Sequence, residues 1–207
     1  MAQSRFNSKS LTKYSDKMKT EDINKLFGRI NRIKNRLGIK DGIGTSWDCS
    51  LENGEVHKYT LKGIKSPEEV EDDIASAFIW LWSLKDHIKK SIKDKNWVEC
   101  RVNANSYLSI CGDLANGLKH GSLDRESRSG KKAKLGKLRY KIPQTAIGKL
   151  AFGAFDVDID VKDAHLVAWE MPILDEQDNL MGDAFEYLDH CIDEWELIVN
   201  DLQKGSL

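Results

Sequence analysis

Ile23, Leu26, Phe27, Ile30, Ile33 and Leu37 recur at steps of three and four, and Gly38 follows as a stop signal. This spacing predicts a first helix over 20–37. Ser66-Pro67-Glu68-Glu69 then supplies a capping hydroxyl, a proline at the first helical position and carboxylates facing the helix dipole. The second helix keeps Val70, Ile74, Ala77, Leu81, Leu84 and Ile88 on one stripe, widened by Phe78 and Trp82, and is apolar almost all round near its middle, as a central helix would be. Ala104, Leu108, Cys111, Ala115 and Leu118 mark a third helix from about 97 to 119, which ends on the basic turn Lys119-His120 before Gly121. Phe185, Leu188, Ile192, Trp195, Val199 and Leu202 mark a last helix over 181–203.

Two stretches change period. Residues 45–51 and 56–61 flank Asn53-Gly54, the favoured pair for a tight turn, and predict a β-hairpin. Phe155, Val157, Ile159 and Val161 alternate with Asp156, Asp158 and Asp160, and alternation resumes through Val167, Trp169, Met171 and Ile173, which predicts a second hairpin near 155–173. The expected fold is therefore α+β, mainly α: a four-helix bundle with two inserted β-hairpins, forming one domain over 20–207 behind a basic N-terminal tail at 1–19. Residues 122–141, rich in Ser, Gly, Lys and Arg, are expected to form a basic mobile loop.

Composition narrows the function classes. The 207 residues are 40% hydrophobic and 31% charged, a globular profile, and no apolar run approaches the roughly 20 residues that a membrane span needs. The polar, basic N-terminus lacks a signal-like apolar core, so a cytoplasmic location is expected. Cys49, Cys100, Cys111 and Cys191 are scattered without metal-ligand spacing, so reduced thiols and no metal or cofactor are expected. Charge is segregated although the net is only -1: residues 1–41 carry 11 Lys/Arg against 4 Asp/Glu, residues 119–141 carry 9 against 2, and residues 156–207 carry 2 against 15. Such segregation either neutralises itself within the chain or marks binding surfaces.

The strongest site candidate is the end of the third helix. Asp113, Asn116 and His120 stand at steps of three and four, so they share one helix face, and Asn116 and Gly117 are poor helix formers in an otherwise regular segment. Histidine is the side chain poised to change charge near neutral pH. Arg125, Arg128, Lys131, Lys132 and Lys134 follow in the basic loop, where flexible cations suit phosphate contacts. The alternating carboxylates Asp156, Asp158 and Asp160 lack the glycine and closing glutamate of a calcium loop and are read as a solvated face. Trp80, Trp82, Trp169 and Trp195 all fall on patterned elements and are read as core.

The run Asp113-x-Ala115-Asn116-x-x-Lys119-His120, followed by a hairpin and an aromatic-rich helix over 184–195, resembles helices of the HEPN superfamily of helical-bundle nucleic-acid enzymes. That resemblance implies a homodimer that binds RNA, and metal-independent RNA cleavage, in a bacterial or phage defence or toxin system. Histidine would act as acid/base, beside an arginine that stabilises phosphate charge. His120 matches the family histidine. The positions that would hold the arginine, with four to six residues between the pair, are Ala115, Leu114 and Asp113. On this reading the site is His120, Asn116, Asp113 and Lys119, with Lys119, Arg125 or Arg128 supplying the missing cation. The alternative is a non-catalytic module that docks a protein partner through the acidic C-terminal third or the basic loop.

Overall fold

In a computed structural model, which describes residues 20–121 and 126–204, the chain forms five helices and nine strands in three sheets. The helices are α1 (Thr20–Gly38), α2 (Pro67–Ser91), α3 (Lys95–Ala104), α4 (Ser106–His120) and α5 (Ala184–Lys204). The strands are β1 (Thr45–Ser50), β2 (Val56–Lys62), β3 (Lys134–Leu135), β4 (Arg139–Lys141), β5 (Ile147–Phe152), β6 (Asp156–Val161), β7 (Ala168–Glu170), β8 (Pro172–Leu174) and β9 (Leu180–Asp183). The four-helix bundle with two hairpins is thus corrected on three counts.

First, the expected third helix is two. Asn105 takes an extended backbone, its N–H donates to the Val102 carbonyl, and its side chain accepts from the Leu108 N–H, so one residue ends α3 and caps α4. Second, the expected hairpin at 155–173 does not form. β6 pairs antiparallel with β5 and parallel with β2, whereas β7 and β8 turn away to pair with β4 and β3. Alternation identified strands there but carried no information about their partners. Third, the basic segment after α4 contributes β3 and β4, because strands of the acidic C-terminal third lie beside it.

The elements with strong local signals form where expected. Ser66 and Glu69 close a reciprocal capping box at the start of α2. Gly54 turns the β1–β2 hairpin with φ of +84°. α2 is central: α1, α3, α4 and α5 all pack against it, and Phe78, Leu81, Leu84 and Ile88 are fully buried. Among the described residues no helix is long and apolar enough to cross a membrane. β1, β2, β6 and β5 form a mixed sheet whose inner end, at Leu61 and Val161, joins the buried core and whose outer end extends from the helical body.

α2 and α4 approach closely where Gly112 faces Trp82. A Cβ placed on Gly112 would lie 2.8 Å from the Trp82 indole, so glycine is what lets that ring rest on α4. Gly112→Ala is therefore expected to overpack this contact and cost about 1–3 kcal/mol. The denaturant midpoint measures it, and an unchanged midpoint would show that α2 and α4 yield to the extra methyl.

Candidate functional site

The end of α4 divides into an interior half and a surface half. Asp113 is only 1% exposed, Asn116 is half-buried, and Lys119 and His120 are exposed on the last turn. Asp113 and His120 are seven residues apart, about 10 Å along a helix axis, so they cannot meet at one reacting atom. Among the described residues no hydrogen bond joins Asp113, Asn116 and His120 to one another.

Asp113 instead holds the segment that follows. Its Oδ1 accepts the backbone N–H of Arg128 at 2.7 Å, and its Oδ2 accepts the Ser129 N–H at 3.0 Å and the hydroxyls of Ser127 and Ser129 at 2.6 and 2.5 Å. Ser127 Oγ in turn accepts the N–H groups of Lys131 and Lys132. A buried carboxylate needs such donors, and this segment provides them.

The anchored segment delivers Arg128 to a second cluster. Its guanidinium lies 5.0 Å from the Trp82 ring and donates to Glu99 at 2.7 Å and Asn103 at 2.5 Å. Lys85 stands 4.3 Å from the same ring and 3.5 Å from Glu99, and Lys89 also donates to Glu99. Burial pushes the Glu99 carboxyl up, but the hydrogen bonds from Lys89 and Arg128 and the charge of Lys85 outweigh it and hold the group at about 2. Burial, aided by Arg128, lowers the Lys85 ammonium against the pull of Glu99.

The remaining predicted cations are largely spent within the chain. Lys132 pairs with Glu176 and Lys134 with Asp178, at 2.7 and 2.6 Å. Lys131 engages through its backbone, which donates to Ser127 and Ser129 and accepts from the Glu176 N–H. Arg125 lies outside the described residues, as does the basic tail at 1–19. The structure thus brings Asp113 and Arg128 together through a backbone N–H and leaves His120 and Lys119 apart from both. Among the described residues no group of His, Cys, Asp or Glu is arranged to hold a metal ion. Asp156, Asp158 and Asp160 line the polar face of their sheet, where Lys62 stands 3.7 Å from Asp158.

The site that sequence reasoning missed lies between α1 and α2. A groove of about 580 Å³ is lined by Arg29, Arg32 and Arg36 on one helix and by Trp80 on the other, above a floor that includes Ile33 and Ala77. Trp80 is 52% exposed and not core, so that reading is corrected. The Arg29 guanidinium lies 5.6 Å from the Trp80 ring and donates to Nε2 of His87. Burial, then the charges of Arg29 and Lys90, lower the His87 imidazolium, which keeps the ring neutral and able to accept that bond. Arg36 pairs with Asp73, whose other oxygen accepts Lys65 at 2.6 Å, so one buried carboxylate faces two cations and the groove stays positive. The usable signal was arginine at 29, 32 and 36, steps of three and four that place all three on one helix face.

Two measurements test the buried network. Asp113→Asn places an amide against four donors and is expected to cost about 1–3 kcal/mol. Hydrogen exchange should quicken at the amides of Arg128, Ser129, Lys131 and Lys132, and unchanged protection there would remove Asp113 as the anchor. The folded Glu99 carboxyl lies below its ordinary value of 4.5, so its stabilisation is complete above 4.5 and is lost as pH falls through about 2. Glu99→Gln is expected to flatten the fall of the unfolding midpoint across that window, and equal slopes in both proteins would contradict the assignment.

Comparison with known protein families, characterised proteins and solved structures finds no match to this chain.

Proposed function

We propose that this protein binds single-stranded RNA in the groove between α1 and α2. The observation that carries the reading is Trp80, an exposed indole facing a helix that presents Arg29, Arg32 and Arg36. An aromatic face stacks a base whatever its identity, and cations spaced along a helix contact successive phosphates. The apolar floor from Ile33 and Ala77 accepts the rest of the base, and the arginine excess attracts the backbone.

Geometry gives less support to cleavage. Asp113 is committed to the segment at 127–132, and Arg128 is committed to Glu99 and Trp82, so neither stands beside His120. Binding is therefore assigned to the groove, and no reaction is assigned to the α4 end. A second reading follows from the mostly apolar lining: an acidic amphipathic protein segment would also fit an arginine-rimmed groove.

Fluorescence anisotropy with a labelled single-stranded RNA decides the matter. Trp80→Ala should cost about 1–3 kcal/mol of binding free energy through lost stacking. Arg32→Ala should lower the slope of log affinity against log salt by about 0.7, the single-strand value for one phosphate contact. His120→Ala should leave affinity unchanged. Absence of binding, or binding indifferent to both groove substitutions, would overturn the proposal. Metal-free RNA cleavage that disappears in His120→Ala would restore the enzymatic reading.

A further inference from the structure

We infer that the sheet β1-β2-β6-β5 is a dimerisation surface, and that its apolar face is covered by the same face of a second copy of this chain. Register defines that face. Trp47, Tyr59, Val157 and Phe152 form one row across the four strands, and Thr45, Leu61, Ile159 and Leu150 form the next. Phe155 packs edge-on to His57 beyond the first row, and Trp47 and Tyr59 stack with ring centroids 5.5 Å apart. The inner end of the face is already covered, with Leu61 5% exposed and Ile159 half-buried against the core, but the rest is open: Phe152 is 72% exposed, Phe155 52%, Leu150 47% and Trp47 45%. The opposite face carries Ser46, Asp48, Lys58, Thr60, Lys62, Lys149, Asp156, Asp158 and Asp160, the composition of a solvated surface.

A sheet with one apolar and one polar face is built to bury the apolar one. Here the buried core reaches only Leu61 and Ile159 at the inner end, and Trp47, Phe152 and Phe155 stay exposed. Charge selects the occupant. Residues 45–62 and 147–161 together hold Lys58, Lys62 and Lys149 against Asp48, Glu52, Glu55, Asp156, Asp158 and Asp160, a balance of -3. A polyanion that would use the aromatics as a stacking platform is therefore repelled. A second copy is not, because face-to-face packing brings together only uncharged rows and leaves the carboxylates on the two outer surfaces.

Shape and size also fit. A two-fold axis along the strands sets β1 of each copy over β5 of the other, which closes an isologous sandwich. Four strands at about 4.8 Å spacing and about six residues at about 3.3 Å rise give a flat face of roughly 400 Å². Side-chain relief enlarges the part left open, so a packed pair removes on the order of 800 to 1,000 Å² in total, the range of weak, concentration-dependent association.

Cys49 provides a local reporter, since it is exposed, lies on β1, and pairs in register with His57 on this same face. Cys100 is exposed on α3 and serves as the internal control. Thiol labelling of the full chain, read by mass at each cysteine, is run across a dilution series beside light-scattering mass measurement. The expected result is a concentrated dimer in which Cys49 labels at least about tenfold more slowly than in dilute protein, by mass action, with Cys100 unchanged. Trp47→Glu combined with Phe152→Glu should give a monomer with fast Cys49 labelling at every concentration and an unaltered helical circular dichroism spectrum. A wild-type monomer with concentration-independent labelling overturns the proposal. So does a monomer with Cys49 protected throughout, which would mean that the chain covers its own sheet, and so does a dimer that survives the double substitution.

Discussion

Burying the Asp113 carboxylate dictates how the chain leaves the helical body. An ionised group at 1% exposure would cost several kcal/mol without compensation, and it receives two backbone N–H groups and two hydroxyls from residues 127–129. Those residues have no strand or helix of their own, so the carboxylate supplies the acceptor that secondary structure would otherwise provide. Once they are pinned, Arg128 is set against Trp82 and Glu99, and the chain enters β3, whose partner β8 leads through β9 into α5. Gly112, one residue before Asp113, lets Trp82 approach closely enough to carry Arg128 on its ring. Packing and electrostatics therefore meet on a single turn of α4.

The charge segregation along the sequence resolves in two ways. Much of it cancels: Lys34 meets Glu196 at 2.6 Å, Arg101 meets Asp201 at 3.0 Å, and Lys132 and Lys134 meet Glu176 and Asp178. These pairs are substantially exposed and add little stability individually. Within the segment after α4, Lys132 and Lys134 are thereby spent on acidic partners of the C-terminal third. The cancellation is incomplete on α1, where Arg29 faces a neutral His87 and Arg36 shares Asp73 with Lys65. Positive potential thus concentrates on the helix that also faces Trp80.

Legibility followed the range of the signal. The start and stop of α1, the start of α2, the Asn53-Gly54 turn, the end of α4 at Gly121 and the stripe of α5 rest on neighbours within a few residues, and these elements stand within a few residues of expectation. Asn105 carried its own cap signal too, but the apolar steps through Ala104 and Leu108 masked it. Sheet partners were not legible, because β2 lies beside β6 across almost a hundred residues and alternation is identical for every possible partner. The same distinction separates the site residues. That Asp113 and His120 share a register was readable, whereas the turning of Asp113 inward depended on Ser127 and Ser129 arriving from outside the helix.

The two nearby tryptophans of α2 show why the helix misled as well as informed. Positions 80 and 82 stand about 200° apart around a helix, so both cannot face the same neighbour. Trp82 turns to α4, where Gly112 makes room for it, and is almost wholly buried. Trp80 turns to α1, where packing would be served by a second glycine or alanine, and instead meets arginines and solvent. A helix that is apolar all round is expected to be enclosed all round. α2 is not, and its surplus indole stands at the rim of a groove lined by Arg29, Arg32 and Arg36, a placement that packing alone does not require.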